Sequence, residues 1–179
     1  MCHFITLIVP TDNVDAVHAL MEPHGRAAEP IDNTSIRKTL LEGECQYLTT
    51  CAHCDCGTVL VPPRETPEVF EEKLAKEIGR MKRKGWSTAK IARAVQDRRK
   101  AEARPGSSGP DSFELWNVVL RDLQEKLGLP YACLFVRYYS GAVDTEAFSA
   151  SRRQVPKNVD WYDALASLES DEVTVFSFN

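Results

Sequence analysis

A chain of 179 residues with 43% hydrophobic and 27% charged side chains has globular composition and needs no metal merely to bury a core. Its net charge of −4 is unevenly spread: from Lys73 to Arg104, twelve Lys and Arg stand against Glu77, Asp97 and Glu102, a local +9 that leaves −13 on the remainder. No window approaches the roughly 18 apolar residues that a membrane span needs, which argues against a membrane partner.

The chain opens Met1-Cys2-His3-Phe4 without a basic leader or cleavage site, which predicts a cytoplasmic protein. In that reducing compartment its six cysteines are expected as thiols or ligands, although an even number keeps disulfides open. Residues His3 to Val9 read as an apolar strand ended by Pro10. Thr11, Asp12 and Asn13 then offer caps for a short helix carrying Val14, Val17 and Met21, with Gly25 just past its end. From Ala27 to Val61 helical period is poor, and runs at 36–41, 46–50 and 58–61 predict a meander of short antiparallel strands.

Pro62 and Pro63 break that sheet. A helix is predicted from Pro67 to Gly85, with Phe70, Leu74, Ile78 and Met81 as its stripe. A second helix follows, with Ser87 as cap and Trp86 and Ile91 as a hydrophobic staple, fraying after Gln96. Residues 104–110 have the composition of a mobile loop. Asp111 and Glu114 read as a capping box for a helix bearing Phe113, Trp116, Leu120, Leu123 and Leu127, stopped by Gly128 and Pro130. Tyr131 to Tyr139 reads as a central strand, Trp161 to Leu168 as a short helix, and Val173 to Phe178 as a last strand. These segments predict a single α+β domain over 1–179, with an antiparallel or mixed sheet of four or more short strands covered by three main helices.

The densest chemistry is the run from Cys45 to Gly57, which holds Cys45, Cys51, His53, Cys54 and Cys56. Thiolates spaced Cys51-x-x-Cys54 reach one tetrahedral cation when a tight turn points both inward, and Cys56 can add a third ligand. Cys45, His53, Cys2 or His3 would then complete four. A structural zinc is the metal reading, and ordinary reduced thiols and a disulfide are its competitors. Cys133, inside the apolar strand, reads as plain packing.

Two resemblances touch short stretches. Met1-Cys2 resembles the opening of glutamine amidotransferases of the N-terminal nucleophile type, which would imply that Cys2 attacks with its own amine as base. It covers only those two residues, and His3 stands where that family has glycine. Gly85-Trp86-Ser87 followed by Ile91-Ala92 is similar to the turn and second helix of helix-turn-helix proteins, which would imply nucleic-acid binding through the basic pair 67–103.

There is no phosphate-binding glycine loop, nucleophile elbow or dinucleotide fingerprint, so no catalytic residue is assigned. The sequence favours a non-enzymatic binding protein of the toxin-neutralising, immunity kind, a rigid acidic domain covering a basic protein partner. A cysteine-dependent enzyme or redox protein using the cluster or Cys2 is the alternative, and nucleic-acid binding through 67–103 is a further one.

Overall fold

The computed structural model describes residues 2–61, 67–103, 111–156 and 158–178. The expected break at Pro62 and Pro63 and the expected loop at 104–110 lie outside the described residues. Two compact units form, Met1–Pro62 with Ser107–Asn179, and Pro63–Gly106. The strands are β1 (Cys2–Val9), β2 (Glu29–Ile31), β3 (Cys45–Leu48), β4 (Tyr131–Tyr139), β5 (Ser151–Gln154) and β6 (Glu172–Ser177). The helices are α1 (Val14–Met21), α2 (Thr34–Arg37), α3 (Pro67–Arg83), α4 (Thr88–Ala103), α5 (Phe113–Leu127) and α6 (Trp161–Ala166).

In the first unit the strands build one sheet in the order β2-β3-β1-β4-β6-β5, antiparallel throughout except for the parallel pair β5 and β6. The α+β class and a mixed sheet of more than four strands are thus what the chain forms. Successive side chains of a strand point to opposite faces, so β1 serves two layers. Ile5, Leu7 and Val9 join Trp116, Val119, Leu120 and Leu123 of α5 in the larger core. Ile8 joins Cys133, Phe135, Val173, Val175 and Ile36 on the other face. That is why Ala132 to Val136 reads as an unbroken apolar run: the strand is buried on both sides.

Helix α5 carries the predicted stripe, flanked by α1 and α6. Its N-cap is Ser112, whose hydroxyl accepts from Leu115 N–H at 3.1 Å; Asp111, the expected cap, is drawn into the ion network described below. At the other end Gly128 takes a left-handed φ of +63° and returns its N–H to Gln124. A Cβ there meets nothing within 4 Å, so the cost of Gly128→Ala is backbone alone. It is expected to lower stability by about 1 kcal/mol in thermal or urea unfolding.

The region between β1 and β3 departs from expectation. Residues 36–41 form no strand, because the Asn33 side chain accepts from Ser35 and Ile36 N–H and starts α2 instead. The pairing strand is β2, masked in sequence by Pro30, which an edge strand tolerates. Residues 58–61 form turns rather than a strand. β5 was not anticipated, since Ser-Arg-Arg-Gln has no apolar face.

The second unit is a helical hairpin. Leu74 and Ile91 are buried, and Gly85 at φ +73° makes the turn, with Trp86 N–H returning to Met81 and Gly85 N–H to Lys82. Ser87 caps α4 as expected, accepting from Lys90 N–H at 3.3 Å, and α4 continues past Gln96 to Ala103. Arg99 near the end of α4 meets Glu71 near the start of α3 at 3.0 Å, so the helices fold back antiparallel.

Candidate metal centre

β3 accompanies β1 only from Val9 back to Thr6, where Leu48 is its partner. Beyond that point the outer backbone groups of β1 need other partners, since a bare edge leaves donors and acceptors open. The segment after β3 supplies them. Thr49 donates to Ile5 C=O through both N–H and hydroxyl, each at 3.0 Å. The chain then loops out and returns. Asp55 N–H donates to His3 C=O at 2.9 Å, the Asp55 carboxylate accepts from Ile5 N–H at 2.9 Å, and the Cys56 sulfur accepts from His3 N–H at 3.2 Å. A carboxylate and a sulfur thus stand where a paired strand would.

Asp55 is fully buried, and a second set of contacts holds it. Arg26 Nη1 donates to Asp55 at 2.9 Å and to Thr49 C=O at 2.6 Å, while Nη2 donates to Asp111 at 2.5 Å. Asp111 in turn accepts from Val59 N–H at 2.6 Å and from the Trp116 indole at 3.0 Å, and the Arg26 guanidinium lies 4.3 Å from the Trp116 ring centre. Thr58 closes the loop by donating N–H and hydroxyl to Asp55 C=O. Burial pushes the Asp55 carboxyl up to about 6, against the downward pull of Arg26 and the Ile5 N–H.

With Asp55 turned inward, its neighbours Cys54 and Cys56 stand half-buried on the outside. There they meet Cys2, the first residue of β1, and the three sulfurs lie within 4.8 Å of one another. A tetrahedral zinc with bonds of about 2.3 Å sets sulfurs about 3.8 Å apart, so closing on an ion asks for a contraction of at most about 1 Å. The Cys56 thiol is pushed up to about 11, by burial first and then by Cys54 and Cys2, with the His3 N–H pulling down. The neighbouring sulfurs thus weigh against a Cys56 thiolate, and the charge of a bound cation would reverse that repulsion.

Of the residues singled out in sequence, Cys54 and Cys56 come together, joined by Cys2 from the start of β1. Cys51 and His53 share the loop but stand outside this three-sulfur group, Cys51 half-buried and His53 exposed. Cys45 pairs with Val9 at the opposite end of β1. Seven strand steps separate it from Cys2, about 24 Å, too far to share one ion. It lines a cavity of about 530 Å³ with Asp12, Arg37, Glu44 and Tyr47, where burial and then Asp12 raise its thiol. His3 Nδ1 stands 4.0 Å from the Cys56 sulfur, and its ring is 5.0 Å from that of Tyr138. None of the six cysteines is joined in a disulfide.

Two networks escaped the sequence reading. Arg26, Asp55 and Asp111 are dispersed along the chain, and nothing local marks them. Likewise Cys133, expected as plain packing, lies 3.8 Å from Glu44 and 3.6 Å from Arg152, which grips both Glu44 oxygens. Burial pushes the Cys133 thiol up to about 12.

Fold and site together define a mixed α+β protein with a candidate three-thiol metal centre. No known protein family matches the chain, and neither does any curated protein or solved structure. Among the described residues no helix is long and apolar enough to cross a membrane.

Proposed function

We propose that the protein is a non-enzymatic binding protein whose Cys2, Cys54 and Cys56 hold a thiophilic divalent cation, zinc before others, as a structural centre. The observation that carries the metal reading is the approach of three sulfurs to within 4.8 Å from two separate parts of the chain. Soft thiolates select zinc over hard cations. The ion's role is to tie the 49–58 loop to the start of β1, which the hydrogen bonds of Thr49, Asp55 and Cys56 already align.

Docking rather than turnover is supported by how the buried ionisable groups are used. Asp55 is matched to Arg26, Glu44 to Arg152, and Cys133 is a high-pKa thiol inside the second core. Each is tied into a network within the fold. A protein partner, a toxin in the immunity reading, remains the occupant that the acidic balance of the sheet unit favours. The redox alternative is less well supported. The thiolate is the nucleophile, and with no ion beside it burial pushes the Cys56 thiol up to about 11.

The test is metal analysis of the purified protein combined with site-resolved alkylation. The expected result is stoichiometric zinc and labelling of Cys2, Cys54 and Cys56 that rises sharply once a chelator is added. Cys54→Ser should lose the metal. Metal-free protein in which those three cysteines alkylate at the same rate with and without zinc would refute the reading.

A further inference from the structure

We propose that the α3–α4 hairpin docks on the phosphate backbone of duplex nucleic acid. From Arg80 to Arg93 the sequence holds Arg80, Lys82, Arg83, Lys84, Lys90 and Arg93 and no acid at all. These six side chains occupy the last turn of α3, the connecting turn and the first two turns of α4. All six are exposed, and among the described residues none is paired with a carboxylate. Among the described residues the hairpin's ion pairs lie away from the turn, at Glu72–Lys76 and Glu71–Arg99.

Six cations set within a few residues of one another repel, and nothing described in the fold neutralises them. At physiological salt each charge is felt over about 8 Å, so this local excess, not the −4 of the whole chain, decides what approaches the turn. Charge complementarity then selects the occupant. Protein surfaces intersperse both signs, whereas duplex DNA presents one negative charge per about 1.7 Å of axis. The N-terminus of the 16-residue α4, at the same turn, adds its partial positive charge.

The antiparallel return of α4 along α3, closed by Glu71 and Arg99, differs from the crossed helices of a helix-turn-helix. The contacts therefore go to phosphates, not base edges, and the binding is independent of sequence. This inference uses none of the cysteine-centre residues, so either can fail alone.

The experiment is fluorescence anisotropy of a labelled duplex of about 20 base pairs with the full-length protein, from about 50 to about 200 mM salt. Engagement of all six cations predicts an affinity loss of about 1,000-fold over that range. The variant Arg80→Glu, Lys84→Glu, Lys90→Glu and Arg93→Glu should abolish binding. The same four positions changed to Gln, a milder substitution, should weaken it at least tenfold with an unchanged circular dichroism spectrum. Absence of binding at low salt, an affinity indifferent to salt, or Gln and Glu variants that bind like the wild type would each overturn the proposal. So would tighter binding to phosphatidylserine vesicles than to the duplex.

Discussion

Replacing Arg26 by methionine is expected to remove about 3–5 kcal/mol of folding stability in chemical denaturation, because it leaves buried acid without its cation. Arg26 is 4% exposed, Asp55 is fully buried, and the guanidinium is the one group that contacts Asp55, Asp111 and Thr49 C=O together. Methionine has similar length but no donor, so it forfeits all three bonds and the face of Trp116. Asp55→Asn should cost less, since an amide oxygen still accepts from Ile5 N–H and Arg26 keeps Asp111.

The pH dependence gives this prediction a second readout. Asp55 is raised to about 6 in the folded chain against about 3.8 in the unfolded one. The folded state therefore binds the extra proton, and this group's contribution is fully present below 3.8 and lost as pH rises through 6. Without Arg26 the folded pKa rises further, so the loss extends to higher pH. The Arg26→Met variant should consequently stand closer to wild type at acidic pH than at neutral pH. A variant less than about 1 kcal/mol below wild type, with no pH dependence of the difference, would show that the ion network does not hold the loop.

Removal of the proposed zinc is the second large effect expected. An ion bound to the folded state only, present at about 100 times its dissociation constant, stabilises by about 2.7 kcal/mol, and at about 1,000 times by about 4.1. Chelation should therefore lower the unfolding midpoint, with the fastest new hydrogen exchange in residues 49–58, the segment held to β1. The sheet core should lose less protection than this loop, no more than the fall in global stability requires, because its two buried layers are built from other elements. Destabilisation spread evenly over the sheet, or none, would contradict a structural ion at this loop.

The elements that could be read from sequence are those whose pattern is local. β1, α5 and β4 announce themselves by an apolar run or a stripe at helical spacing, and each formed within a residue or two of expectation. β2 and β5 did not, because short edge strands are specified by their partners more than by their own residues. The candidate site divides the same way. The crowding of Cys54 and Cys56 is visible in the sequence, but their meeting with Cys2 depends on Asp55 being held against β1 by Arg26 and Ile5. Cys45 looks like a neighbour of Cys51, yet β3 carries it to the far end of β1. The distance between two cysteines across a strand is invisible until the register is known.

The most direct test of the central claim is a cobalt(II) titration of the reduced protein, followed by absorption. Cysteine thiolates converging on one ion should give sulfur-to-cobalt charge-transfer bands and intense tetrahedral d–d bands that saturate at one equivalent. Cys2→Ser, Cys54→Ser and Cys56→Ser should each alter those bands, whereas Cys45→Ser should leave them unchanged. A titration with no charge-transfer band, or one that responds to Cys45 and not to Cys2, would contradict the account.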